Sequence, residues 1–257
     1  MTLELRNADC IAEMKTLPAK SIDLFLCDLP YGCLAVNGKT SKHQGQLSGC
    51  SWDIKIDLKE FWEQVERLAK HDNTPVIHFC TTRFGNELIN SKPKWFRYDL
   101  VWNKKQGVSF LDANRRPMRS HEMIYVFSKT GAYYNRVDMK GQFKGWVAKS
   151  EPSQITSVYS DMTKGWKTNG NDGTTRCPLS VIDITNTKKK GQHPTQKPLE
   201  LYKWLIERYC PQNGTVLDPT FGSANSGQAA YELKRNYIGF EKDTEFFNKA
   251  ANRLGCT

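Results

Sequence analysis

Apolar residues in this chain follow two rhythms. Short β-suited runs bounded by turn residues occur at 3–6, 21–27, 75–80, 96–102, 122–127, 215–218 and 237–240. Runs of this length predict strands, and 21–27 reads as a strand buried on both faces. Between them apolar residues recur at helical spacing. Ile11, Met14 and Leu17 precede a helix stop at Pro18, and Leu58, Phe61, Trp62, Val65 and Leu68 share one face after a capping Asp57. A short helix to Asn90 follows the 75–80 run. Leu199, Tyr202, Leu205 and Ile206 mark a helix led by Pro198, and two more run to Lys234 and over 244–254. Alternating strands and helices predict an α/β fold around a mainly parallel sheet.

The pattern lapses in three places. From Cys33 to Ser51 the chain turns to Gly, Ser, Lys and Gln before Trp52-Asp53 closes it. A polar loop of that length is usually functional or mobile. The connection between the 96–102 and 122–127 runs carries Lys104, Lys105, Arg115, Arg116 and Arg119 against one acid, Asp112. Such a stretch suits contact with phosphates. Residues 129–192 show no period but hold aromatics (Tyr133, Tyr134, Phe143, Trp146, Tyr159, Trp166) among Lys, Gly, Ser, Thr and Asn, ending in Lys188-Lys189-Lys190-Gly191. Disordered segments are poor in aromatics, so this reads as an inserted subdomain.

Charge narrows the partners. The 257 residues carry a net charge of +10, which favours a polyanion, nucleic acid first. A hydrophobic fraction of 39% can fill the core of one large domain or two small ones. No run approaches the roughly 18 apolar residues of a membrane span, and Met1 begins no signal-like segment, so the expected setting is the cytoplasm. The eight cysteines (Cys10, Cys27, Cys33, Cys50, Cys80, Cys177, Cys210, Cys256) include no Cys-x-x-Cys pair. Cys33, His43 and Cys50 share a loop, but their spacing fits no common zinc pattern, and no metal is expected.

Two turns carry candidate chemistry. The 21–27 strand ends in Asp28-Leu29-Pro30-Tyr31-Gly32, a carboxylate and an aromatic ring on one tight turn. In open α/β sheets ligands bind beyond the carboxyl ends of strands. There an acid can hold a planar amine while the ring stacks on it. The 215–218 strand runs into Asp218-Pro219-Thr220-Phe221-Gly222-Ser223-Ala224-Asn225-Ser226-Gly227, and the next strand ends in Glu241. A small-residue turn followed by an acid one strand later suits a nucleotide and its ribose diol. The three-glycine dinucleotide fingerprint and the Walker lysine are both missing, which disfavours NAD and ATP.

Taken together, Asp28-Leu29-Pro30-Tyr31, His193-Pro194-Thr195-Gln196-Lys197-Pro198 and Asp218-Pro219-Thr220-Phe221-Gly222-Ser223-Ala224 stand in the order used by β-group DNA amino-methyltransferases, which the chain resembles over most of its length. Asn7-Ala8-Asp9-Cys10, Trp102-Asn103-Lys104 and Ser120-His121-Glu122 extend the likeness. Leu29 stands where the family usually has proline, and Ala224 where its cofactor loop usually has glycine. The resemblance implies a Rossmann-like seven-stranded sheet of order 3-2-1-4-5-7-6 with strand 7 antiparallel, circularly permuted. Family strand 1 falls at 215–218, strand 2 at 237–240, strand 3 at 3–6, strand 4 before Asp28 and strand 5 at 75–80. The last two would form a hairpin, and 129–192 would hold the target-recognition region within a single domain.

The family uses S-adenosylmethionine. The resemblance places Asp218, Thr220, Phe221, Gly222, Ser223, Ala224 and Thr195 around its methionine part, with His193, Lys197 and Asp28 nearby. It places Glu241 on the ribose, and Asp9 with Cys10 at the adenine. Asp28, Leu29, Pro30 and Tyr31 would be catalytic: Asp28 and the Leu29 carbonyl accept the target amine, and Tyr31 stacks on a flipped base. Lys104, Arg115, Arg116 and Arg119 would touch DNA. An acid at the head of the catalytic motif points to adenine N6. Cytosine N4 stays open, as does an inactive DNA-binding protein on the same fold. A second copy of the chain, in a homodimer, is a further candidate partner.

Overall fold

The computed structural model describes residues 1–32, 54–108, 110–142, 173–186 and 196–256. Strand β1 (Leu3–Asn7) leads into α1 (Cys10–Thr16), which Asp9 caps by accepting from the Ile11 and Ala12 amides. Next come β2 (Leu24–Cys27), α2 (Leu58–Leu68), β3 (Val76–Cys80) and α3 (Thr82–Ser91). Asp57 caps α2 through the Lys59 and Glu60 amides, and Phe61, Trp62, Val65 and Leu68 are its buried face. Strands β4 (Phe96–Val108) and β5 (Arg119–Phe127) form a hairpin reaching into the basic connection, so both outrun the expected 96–102 and 122–127.

Two short strands follow, β6 (Met139–Lys140) and β7 (Thr175–Arg176), then β8 (Val181–Asp183), α4 (Leu199–Tyr209), β9 (Thr215–Asp218), α5 (Asn225–Glu232), β10 (Asn236–Glu241) and α6 (Thr244–Leu254). By its internal contacts the chain divides into 1–135 with 180–257, and 136–179. The smaller unit thus lies within the expected 129–192 and includes the antiparallel β6–β7 pair. Its expected flanks belong to the larger unit. Thr130 and Tyr133 donate their amides to the Asp72 and Asn73 carbonyls, and Asn135 to that of Arg208.

The large sheet runs β1-β10-β9-β2-β3-β5-β4-β8. Only β5 opposes its neighbours. It has eight strands where seven were expected, because Val181–Asp183 joins the edge beside β4. Three residues are too few to show a period, which hid β8 in the sequence. The central strands are mainly apolar because they feed two cores. Leu24, Leu26, Ile77, Phe79 and Val216 pack with Leu201, Leu205 and Ile206 of α4. Phe25, Cys27, Val76, Cys80 and Leu217 pack with Met14 of α1 and Phe61 and Val65 of α2. Successive residues of a strand point to opposite faces, so a one-residue slip would exchange the two sets. Register fixed in this way sets Asp28, Asp218 and Glu241 at the same edge of the sheet.

One polar side chain of the central strands is packed among aromatic rings. His78 of β3 is fully buried among Phe61, Trp62 and Phe127, with ring centroids 5.5, 5.6 and 5.7 Å away, and neither ring nitrogen has a hydrogen-bond partner among the described residues. Burial lowers its pKa to about 3, so it folds neutral. The unfolded chain takes up this proton near pH 6.5, so the fold loses stability as pH falls from there towards 3. In urea unfolding, His78→Phe should remove about 2–3 kcal/mol of the stability lost between pH 7 and 4.5. An unchanged pH dependence would show that His78 is not held neutral.

Candidate active site

The turn after β2 is anchored from below and tied from the side. Leu29 is buried in the core beside Phe25 and Cys27, so the residue that replaces the family's proline fixes the turn through its side chain. Pro30 is half-buried and Gly32 takes a left-handed φ of +64°, which closes the turn. Thr220 Oγ1 donates to the Asp28 carbonyl at 3.1 Å and joins this turn to the one after β9.

Asp28 is held in a four-charge cluster. Lys197 Nζ lies 2.5 Å from Asp28 Oδ2 and 3.2 Å from Glu122 Oε1, while Lys104 Nζ lies 2.7 Å from Glu122 Oε2. The Tyr31 hydroxyl stands 3.1 Å from Asp28 Oδ1 and 3.2 Å from Glu122 Oε1, and its ring is 5.1 Å from Phe84. Lys197 is 5% exposed and Glu122 12%, against 21% for Asp28, so Asp28 is the acid that opens to solvent. Lys197 also sits over the Phe79 ring at 4.9 Å, and its carbonyl accepts from Asn225 Nδ2.

Charge balance orders these groups. Burial alone would strip Lys197 of its proton, but Asp28 and Glu122 outweigh it and hold the pKa up at about 12. Burial would also protonate Glu122, but Lys197 and Lys104 outweigh it and hold its pKa well down. For Asp28, burial and the Glu122 charge prevail over Lys197, and its pKa rises.

The second turn is acid-lined. Asp218 is buried, accepts from the Thr220 amide (3.0 Å) and from Ser226 Oγ (2.6 Å), and has its pKa raised to about 7 by burial. Glu241 accepts from the Gly222 amide at 2.9 Å and the Asp243 amide at 2.8 Å, and burial raises its pKa. Gly222 has φ +54°. Ala224 adopts the same left-handed region at the start of α5, yet its methyl is buried in the core, which holds it there.

Several expected site residues have contacts of their own within the fold. The Cys10 side chain is withdrawn into the core, where burial pushes its thiol up to about 12. Phe221 is also a core residue, packed 6.3 Å from Phe247, which leaves it as an anchor for the turn. Asp9 Oδ1 caps α1, and its Oδ2 lies 3.4 Å from Lys242. The Ser223 carbonyl accepts from Arg253. The Lys104 side chain is largely buried rather than exposed like Arg115 and Arg116. A bulge between Asn103 and Val108 turns it inward onto Glu122 and the Trp102 ring, at 4.9 Å. Arg115 and Arg116 are exposed, Arg119 half-exposed. His193, Thr195 and the Cys33-His43-Cys50 loop lie outside the described residues. Glu122 received no role from the sequence, although an acid heading the apolar run Met123–Phe127, facing Trp102-Asn103-Lys104, was a readable signal.

The fold is that of an S-adenosylmethionine-dependent methyltransferase. The structure superposes on the M1.HpyAVI–SAM complex with a TM-score of 0.60 (22% identity, 98% of this chain and 99% of that one). It also superposes on the cytosine-N4-specific PvuII DNA methyltransferase with a TM-score of 0.65 (17% identity, 97% and 85%). The DNA methylase model for N6 and N4 methyltransferases matches residues 22–252, and the chain belongs to that family. It is similar to two Type II methyltransferases of Haemophilus influenzae. M.HinfI is 29% identical over 96% of this chain and 67% of its own length, and M.HindIII is 26% identical over 97% and 94%. The protein is thus a DNA amino-methyltransferase of a family that uses S-adenosylmethionine. No helix among the described residues is long and apolar enough to cross a membrane.

Removing the cation from a buried cluster leaves like charges facing each other. Lys197→Met should cost about 3–5 kcal/mol in urea unfolding at pH 7. Glu122's lowered pKa contributes stability above the ordinary carboxylate range that is lost on acidification. The deficit should therefore shrink as the pH is lowered from about 4.5 towards 2. A deficit below about 0.5 kcal/mol at pH 7 would mean that the cluster is solvated in solution.

Proposed function

We propose that the enzyme methylates the N6 amino group of adenine in duplex DNA, at a short or loosely specified site. The observation that carries this reading is Asp28, the open carboxylate of the cluster, on a turn shared with Tyr31. The resemblance supports adenine, since motifs of the Asp-Pro-Pro-Tyr kind accompany adenine more often than cytosine and this chain keeps three of the four residues.

The acid-lined turn suits a cationic cofactor. Asp218 is a buried carboxylate without an ion pair among the described residues, so a ligand ammonium or sulfonium would offset the burial that raises its pKa. On this reading Asp218 and the Thr220–Ala224 turn hold the amino-acid end, with Thr195 beside them. Glu241 has lone pairs left for ribose hydroxyls, and Asp9 and the Cys10 backbone border the adenine. S-adenosylmethionine, when bound, supplies an electrophilic methyl carried on sulfur.

The protein's part is to make a poor nucleophile attack in line. An exocyclic amine has its lone pair delocalised into the ring. Asp28 and the Leu29 carbonyl accept its two hydrogens and draw that pair out of conjugation, while Tyr31 stacks on the base. An arriving amine takes the place of the Tyr31 hydroxyl on Asp28 Oδ1, and Lys197 keeps Oδ2 fixed meanwhile. The proton leaves only after the nitrogen has become cationic, so Asp28 acts as an acceptor rather than a strong base. Residues 129–192 would contribute target recognition, and Arg115, Arg116 and Arg119 would contact phosphates.

The test is incubation with labelled S-adenosylmethionine and duplex DNA, followed by digestion and mass spectrometry of the nucleosides. Label is expected on deoxyadenosine. Asp28→Ala should lower transfer by roughly a hundredfold or more while cofactor binding by calorimetry is largely kept. Label on deoxycytidine would replace adenine N6 by cytosine N4, and cofactor retention without transfer to any DNA would favour the inactive binding protein.

A further inference from the structure

Beyond Lys104 and Glu122 the β4–β5 hairpin continues to a tip that the site does not use. Val108 pairs with Arg119, and a single 3-10 turn, Phe110–Asp112, heads the return. Phe110 and Leu111 are 73% and 72% exposed, with Val108 and Met118 exposed beside them. One exposed apolar side chain is ordinary. Four at one tip mark a surface that meets something.

The surroundings of the tip say what it meets. Arg115 and Arg116 are exposed on the return, and Arg119 begins β5. The only acid of the connection, Asp112, is paired with Arg116 at 2.5 Å. An apolar tip ringed by arginines is complementary to stacked bases between phosphates. A second copy would bring like charge onto like charge in a chain of net charge +10.

The tip is also in the right direction and at the right reach. β4 runs parallel to β2 and β3, so it leaves the sheet at the edge where Asp28 lies. Glu122, in the cluster with Asp28, stands three residues from Arg119 along β5, about 10 Å at the usual rise of a strand. A major groove is about 8.5 Å deep. Arg119 and its partner Val108 are the root of the tip, and Phe110 lies beyond them in the chain, so the hairpin extends past the cluster on a scale comparable with the depth of a groove.

We propose that Phe110 and Leu111 form an apolar wedge that enters the base stack beside the target nucleotide and fills the space the base leaves. The inference rests on the reading of a duplex-DNA base as substrate. An extruded base gives up its pairing and the stacking on both its faces, and the gap exposes its neighbours to water. Apolar side chains in that gap recover part of the loss, and the arginines hold the flanking phosphates in place.

The test compares wild type with F110A/L111A on two substrates. One is a short duplex centred on a site that wild type methylates; the other carries an abasic position opposite the target base, so that extrusion breaks no pair. The double variant should lose about ten- to a hundredfold in methyl transfer on the paired duplex and less than about threefold on the abasic one. Cofactor binding by calorimetry should be unchanged. Equal loss on both duplexes, or none on either, overturns the wedge. Equal loss with a fall from dimer to monomer in light scattering assigns the tip to self-association instead. Label on deoxycytidine with the abasic duplex still sparing the variant supports the wedge and overturns only the adenine reading.

Discussion

The site depends on one ammonium. Lys197 Nζ bridges two carboxylates that would otherwise repel each other in a largely buried pocket, and its partner Asp28 is 169 residues away in the chain. Through it the turn after β2, the start of β5 and the segment before α4 are held in one arrangement. Asn225 extends the tie to the first residue of α5 by donating to the Lys197 carbonyl. A buried ion pair of this kind gives modest net stability, because desolvation offsets much of the attraction. Its value here is geometric: it fixes Asp28 Oδ2 and leaves Oδ1 to a neighbour that can be exchanged.

The two halves of the site are charged differently, and the difference matches the ligands they are proposed to take. Around Asp28, two lysines offset two acids, so a neutral amine meets an acceptor in nearly neutral surroundings. Around Asp218 and Glu241, carboxylates accept only from amides and a hydroxyl among the described residues. Burial there works against the charged acids, and a cation restores the balance. Thr220 joins the halves, with its amide on Asp218 and its hydroxyl on the Asp28 carbonyl.

Most of the sheet was legible because its strands are short apolar runs between turn residues, and the Asp57 cap and the apolar face of α2 could be read residue by residue. The β4–β5 extension was not, because Asn103–Val108 is polar and bulged and looks like a loop. The turns bearing Asp28 and Asp218 were readable from their residue types. The side-chain directions were not. Cys10 and Phe221 sit inside motifs expected to line a ligand site, yet their own side chains fill the cores. Lys104 looked like one more surface cation until the bulge turned it inward, and Glu122 acquired a role only when folding brought Lys197 beside it. Pairings across such separations leave no local trace in one sequence.

A double-mutant cycle on unfolding free energy tests the account most directly, using Lys197→Met, Glu122→Gln and the two together. If Lys197 holds the cluster, removing the Glu122 charge relieves part of the repulsion that the loss of the ammonium creates. The double variant should then be more stable than the sum of the single losses predicts, by about 2 kcal/mol. Losses that add within about 0.5 kcal/mol would mean that the two side chains act independently, and the bridging ammonium would not organise the site.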